Sequence, residues 1–262
     1  MKFRKEQPIK VVIIGAGGTG GYIAPHLYRL LRTLGRKVRV ILCDGDIVEE
    51  KNLVRQNFIE ADLGENKAQV MAERYSSAFG LETDYISRFI ESSEELARLV
   101  QPEKFIVGPP IRSEVTGEYE VNEQPEQVIL IGAVDNNKSR KMCHEVFTKA
   151  KDLIYIDSGN GEFSGQVVCG VRRRGRTVLK PVAAIYPEIL DETDKFPSEL
   201  SCAEAAVSAP QAIVANLVAA TTVVCLVYNI VVLGSNSVHQ AAFSTKNIHV
   251  RPTVVQRQRR AA

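Results

Sequence analysis

Chemistry first shows itself in a glycine-rich turn. Gly15, Gly17 and Gly20, within GAGGTGG, follow the apolar β-branched run IKVVII and open a helical stretch. A G-x-G-x-x-G turn between strand and helix lets the backbone approach phosphates and aims helix N–H groups at them. Alone it specifies a nucleotide or dinucleotide site and nothing narrower. Asp44 ends the next strand-like run, KVRVILC, about 20 residues past the turn, where a carboxylate can accept from ribose hydroxyls. Asn52, Arg55 and Gln56 cluster just beyond it, and Lys67 follows ADLGEN. Arg55 and Lys67 bring two cations to the phosphate end of the site. A nicotinamide cofactor needs that space for its hydride acceptor, whereas a triphosphate carrying about four negative charges needs such donors. Asp135, in AVDNNKSR, closes a further strand, and an acid facing polyphosphate calls for a magnesium ion between them. ATP with magnesium is therefore expected. An NAD(P)-dependent oxidoreductase and a non-catalytic regulatory subunit of the same fold remain as alternatives.

These residues need elements to hold them. The pattern predicts strands at 9–14, 37–43, 83–86, 128–134 and 153–157, alternating with helices from the glycine turn to Leu34 and at 67–79, 92–100 and 138–150. Alternating β and α favours a mostly parallel, doubly wound sheet. From Gly165 the code changes to an alternating pattern that turns at Gly175, as in an antiparallel hairpin. The expected fold is α/β: a Rossmann-like doubly wound mixed sheet with a parallel N-terminal half and antiparallel C-terminal strands. Residues 108–126 read as a polar, proline-bearing inserted loop. Asp157-Ser-Gly-Asn-Gly follows the fifth strand and lines the cleft in this reading.

Composition narrows the classes. The chain has 262 residues, 45% of them hydrophobic and 24% charged, with a formal net charge of +2. That is one large domain or one domain with an appendage, and a balance too even for a nucleic-acid binder. The five cysteines (43, 143, 169, 202 and 225) form no CxxC pair, which speaks against a disulfide framework and an all-cysteine zinc site. Cys43, Cys143, Cys169 and Cys225 fall in strand or helix patterns and are expected in the core. The four histidines lie on unrelated segments without ligand spacing. Asp46 is expected to support its turn, and Arg172–Arg174 to form a solvated turn. The N-terminal run is too short for a signal peptide, so a cytoplasmic protein is expected. No Asp, Glu, Lys or Arg occurs from Ala205 to Thr245. Ile213–Leu233 is long enough to span a bilayer, yet Asn216 and Asn229 interrupt it and no basic cluster flanks it. A helix buried in a core or a subunit interface is preferred to a membrane partner, and the uncharged helix predicts a homodimer.

The Gly-rich turn, D-x-D-x-V followed by N-L-x-R-Q, the D-x-G-x-x-K ending at Lys67, and the D-N-x-x-x-R of Asp135, Asn136 and Arg140 together resemble the ubiquitin-activating-type adenylyltransferases, the ThiF/MoeB/HesA group. The resemblance covers about residues 11–145. It implies an adenylyltransferase that uses ATP to activate the C-terminal carboxylate of a small ubiquitin-like protein with a flexible C-terminal tail. Asp44 would hold the ribose; Asn52, Arg55 and Lys67 the triphosphate; Asp135 the magnesium. SCAEAAVSAP before the apolar helix resembles the family's crossover segment and makes Cys202 the candidate acyl acceptor, against a buried, inert thiol. The zinc-binding CxxC pairs of many members are missing, so no zinc is expected. Arg4 is the sole arginine ahead of Gly15 that could act in a neighbouring subunit. On this reading residues 1–250 form one adenylation domain, with a nucleotide-binding half at about 9–150 and a crossover and partner-binding half at about 151–250. Residues 251–262 form a basic tail.

Overall fold

The computed structural model describes residues 1–112, 117–191, 194–199 and 212–255. The central strand β1 (Ile9–Ile14) is buried along its whole length, as its uninterrupted apolar run requires of a strand covered on both faces. From it the chain enters α1 (Gly18–Arg32), β2 (Val38–Cys43) and the short α2 (Glu50–Leu53). Then come α3 (Lys67–Phe79), β3 (Glu82–Ile86) and α4 (Ser93–Leu99). Four short strands follow: β4 (Lys104–Ile106), β5 (Ile111–Arg112), β6 (Tyr119–Glu120) and β7 (Glu123–Pro125). The chain continues through β8 (Gln127–Gly132), α5 (Asn137–Lys149), β9 (Leu153–Asn160), β10 (Ser164–Arg173) and β11 (Arg176–Leu179). It ends in α6 (Ile213–Val231), β12 (Val238–Ser244) and β13 (His249–Val254).

Nine strands form the main sheet in the order β13-β12-β10-β9-β8-β1-β2-β3, with β11 on β10. Pairing is parallel from β3 to β9 and antiparallel from β9 to β13. This is the expected mixed, doubly wound sheet. One core cluster packs α1, α3 and α6 on one face; a second packs α4 and α5 on the other. The β10–β11 hairpin turns at Arg174 and Gly175, both at positive φ (50° and 74°), the pair of conformations that matches the right-handed twist of strands.

Three expectations change. Residues 108–126 are not a plain loop: β4 pairs with β7 and β5 with β6, making an antiparallel arm. The expected tail begins later, because Arg251–Val254 sit in edge strand β13, and 256–262 lie outside the described residues. Cys225 is exposed on α6, while Cys43, Cys143 and Cys169 are buried as expected. One side of α6 is buried (Ala215, Ala219, Val223, Leu226, Ile230), and Val214, Leu217 and Tyr228 on the other stand exposed.

Candidate functional site: a cleft at the carboxyl ends of the strands

Gly15 takes φ +95°, and a Cβ there would lie 2.4 Å from the Ala133 carbonyl oxygen. A Cβ on Gly20 would lie 2.0 Å from the Gly15 oxygen. Both glycines are thus needed for the turn to fold onto β8. Gly17 differs, since an added Cβ would make only an ordinary contact, 3.8 Å from Gln56 Nε2. Gly17 also starts α1 with no side-chain cap, which leaves the first helix amides for a ligand.

α1 contains Pro25, which has no N–H to give the Gly21 carbonyl one turn earlier. Asn57 Nδ2 supplies it instead, at 3.1 Å, so the segment carrying Asn52, Arg55 and Gln56 is pinned to α1. Asn52 Oδ1 accepts from the Glu49 amide at 2.9 Å. Gln56 is buried and its Oε1 has no partner.

Asp44 accepts from the Ala16 amide at 2.6 Å and the Asp46 amide at 2.9 Å, joining the glycine turn to the end of β2. Burial, with Asp46 beside it, pushes its carboxyl up to about 6, although Lys67 and the two amides favour the charge. Lys67 is almost fully buried and pairs with Asp46 Oδ2 at 2.8 Å. Asn66 caps α3 through the Gln69 amide and donates to the carbonyls of Asp44 and Asp46. Asp46 therefore does more than support its turn: it fixes the ammonium. Asp62 of the D-x-G-x-x-K run is structural, bound by Arg74 at 2.5 and 2.6 Å.

Asp135 lies exposed at the end of β8. Asn136 caps α5 through the Ser139 amide, and Arg140 donates to the Val134 carbonyl at 2.6 Å and pairs with Asp157 at 3.3 Å. Asp157 is buried and accepts from the Tyr155 hydroxyl at 2.8 Å.

Gly15, Gly17, Asp44, Asn52, Arg55, Gln56, Lys67 and Asp135 all line one open cleft of about 830 Å³, a size suited to a cofactor. Gly20 stands behind it as packing. Cys202 lies outside the described residues. The cleft also takes in Phe89, Ile90, Ser158, Gly159, Asn160 and Gln166. Of these, Ser158–Asn160 line the cleft as expected, although they lie inside β9 and not after it, while Asp157 is buried outside the lining. Phe89, Ile90 and Gln166 went unforeseen because they belong to no spaced motif. The Phe89 ring lies against Gly45, where a Cβ would meet it at 2.6 Å; a Gly directly after Asp44 is the one signal that could have pointed there. Among the described residues no group of three or more His, Cys, Asp or Glu could hold a metal alone.

The sheet and its cleft define a Rossmann-like nucleotide-binding protein, with the ligand site at the carboxyl ends of parallel strands. The chain belongs to the ThiF family, whose pattern it matches over residues 4–260. No curated protein matches it in sequence. Among solved structures it is similar to PaaA, with 18% identity and a TM-score of 0.62 over 96% of this chain and 65% of that one. It is also similar to the microcin C7 biosynthetic enzyme MccB in complex with N-formylated MccA, with 18% identity and a TM-score of 0.62 over 98% and 68%. For E. coli MccB with ATP the values are 19% and 0.56 over 98% and 66%. The chain thus spans about two thirds of these proteins' length, and at such identities the likeness is one of fold.

Proposed function

We propose that the protein uses ATP to adenylate the C-terminal carboxylate of a peptide or small protein. One observation carries this reading: a single cleft holds uncapped helix amides, the ribose-type acid Asp44, the cations Arg55 and Lys67, and the exposed acid Asp135. MccB, similar in fold, has been solved with ATP and with a peptide partner, MccA, which agrees with a nucleotide and a peptide meeting in one cleft. The single carboxylate of Asp135 fits magnesium, which usually takes one or two protein carboxylates and completes its shell with phosphates and water. Asp46 is engaged by Lys67. Bound there, the ion would neutralise charge on the phosphates.

In this reading Asp44 accepts from the ribose, and Arg55, Lys67, Asn52 and Gln56 hold the phosphates. A substrate carboxylate oxygen attacks the α-phosphorus, the bond from that phosphorus to the β-phosphate's bridging oxygen breaks, and pyrophosphate leaves. The carboxylate is already ionised at neutral pH, so positioning and charge neutralisation do the work. A small ubiquitin-like protein with a flexible C-terminal tail is the partner favoured by the motifs, and Cys202 is the proposed acyl acceptor. The exposed stripe of Val214, Leu217 and Tyr228 on α6 supports a homodimer; a monomeric mass by light scattering at micromolar concentration would remove it. The odd number of cysteines without a CxxC pair supports a reducing, cytoplasmic setting.

Exchange of labelled pyrophosphate into ATP, run with candidate ubiquitin-fold proteins and peptides, tests the reading. Exchange that needs both ATP and a free C-terminal carboxylate is expected. Protection against heating by NAD and not by ATP would overturn it.

A further inference from the structure

Where α1 begins, β9 ends and the first turn of α6 lies beside them, three neutral polar side chains meet, and Ser158 stands two residues before one of them on β9. Thr19 Oγ1 donates to Asn160 Oδ1 at 2.9 Å and lies 3.4 Å from Asn216 Oδ1. Asn160 Nδ2 donates to Asn216 Oδ1 at 2.9 Å. Ser158 and Asn160 project from the same face of β9, because side chains alternate along a strand. After these bonds two polar atoms remain without a partner, Ser158 Oγ and Asn216 Nδ2. Their residues are 2% and 0% exposed. Buried polar atoms are normally hydrogen-bonded, and each one left alone weakens the empty protein. Ser158 lines the same cleft as Arg55, Lys67 and Asp135; Asn216 does not reach it and lies against Gly18, where a Cβ would meet Nδ2 at 2.5 Å.

The chemistry of this corner selects its occupant. It carries no charge of its own. The nearby guanidinium of Arg140 is engaged with Val134, Asp157 and the Ser158 carbonyl. A hydroxyl donor in an uncharged, dry setting suits a neutral carbonyl better than a carboxylate or phosphate. Resting on the adenylation reading, we propose that Ser158 Oγ donates to the peptide carbonyl that precedes the substrate's terminal residue. Thr19, Asn160 and Asn216 act as positioning residues that hold the end of β9 for this contact. The cleft then prefers a peptidyl carboxylate over a free small acid, because only the former brings that carbonyl.

Three stable adenylate mimics test this by calorimetry: 5′-O-sulfamoyladenosine, its N-acetylglycyl derivative, and its N-pentanoyl derivative, which has the same chain length without the amide. Wild type should bind the acetylglycyl compound about tenfold tighter than the pentanoyl one, the weight of one net hydrogen bond. Ser158→Ala should lose that preference and keep its affinity for sulfamoyladenosine. Ser158→Cys, of similar volume with a weak donor, should show the same loss and serves if the alanine variant does not fold. Equal binding of the two acyl compounds by wild type, or an undiminished preference in both variants, overturns the inference. Failure of wild type to bind sulfamoyladenosine at all would instead reject adenylation.

Discussion

The part of the cleft built on β1, β2 and β8 and the part built on the end of β9 are prepared differently. On the first side the groups are tied together before a ligand arrives. Asp44 is held by the Ala16 and Asp46 amides, Lys67 by Asp46, and the connecting carbonyls by Asn66. On the second side Ser158 Oγ lacks a partner, as does Asn216 Nδ2 behind the cleft. Gln56 Oε1 is the exception on the first side. A prearranged set of charges suits a ligand that is always the same nucleotide. Unspent hydrogen-bonding capacity suits a partner that supplies its own backbone.

Substitutions can break this contrast. The largest effect is expected from Asp135→Ala: pyrophosphate exchange should fall by about 10³-fold, the scale for losing a principal electrostatic contact. Thermal stability should hold, because Asp135 is exposed. Exchange at the wild-type rate would remove its assignment. Next, Gly20→Ala should lower unfolding free energy by about 2–4 kcal/mol, since its Cβ would collide with the Gly15 carbonyl. Gly17→Ala, in open contact, should keep stability and lose ATP affinity. Urea denaturation beside ATP titration separates the two.

A third test uses pH. The carboxyl of Asp44 is raised to about 6, so a pH falling through that value discharges it and removes an acceptor from the ribose. ATP affinity should weaken by up to about tenfold per pH unit below about 6. Asp44→Asn should flatten this dependence. Stability moves the other way: the raised carboxyl contributes most below its ordinary value of 3.8, and that contribution is lost as pH rises through about 6. Parallel losses of affinity and stability on acidification would contradict the assignment. The smallest effect on exchange is expected from Cys202→Ser, which should change the rate less than about twofold while abolishing any thiol-labile adduct. Burial pushes the thiols of Cys43, Cys143 and Cys169 up to about 12, so none of these should replace it.

That four expected residues would share one cleft was legible because Asp44 and Asp135 follow strands, Lys67 opens a helix three residues past Gly64, and Arg55 belongs to the motif that follows Asp44. The β9 side was only half legible. Gly159 and Asn160 marked a cleft edge, but the contact between Asn160 and Asn216 joins residues 56 apart, a separation that no local pattern encodes. Asn216 was visible as a polar interruption in an uncharged helix, and its bonds to Asn160 and Thr19 give that interruption a physical reason. β12 and β13 were missed because their alternation is weak and Pro252 reads against a strand. It is tolerated because, among the described residues, β13 pairs with β12 alone, as an edge strand can. The arm was missed because its strands are two or three residues long.

That arm is anchored where the cleft is not. Lys10, at the start of β1, reaches the Gln101 carbonyl at 2.5 Å and Glu126 at 3.2 Å, and Glu126 in turn accepts from the Glu103 amide at 2.9 Å. Arg39 closes the group through Glu103 at 2.5 Å. This clasp, in which Lys10 and Glu126 are buried and Glu103 is exposed, grips both ends of the insertion about 20 Å from the glycine turn, the length of a six-residue strand. Beyond the clasp the base of the arm touches the body again, where Lys37 lies over the Phe105 ring and Gln7 donates to the Pro125 carbonyl. Among the described residues, none from 107 to 122 lines the cleft, so shortening or exchanging that outer stretch is expected to leave the chemistry in place and gives the protein a position for acquiring new sequence.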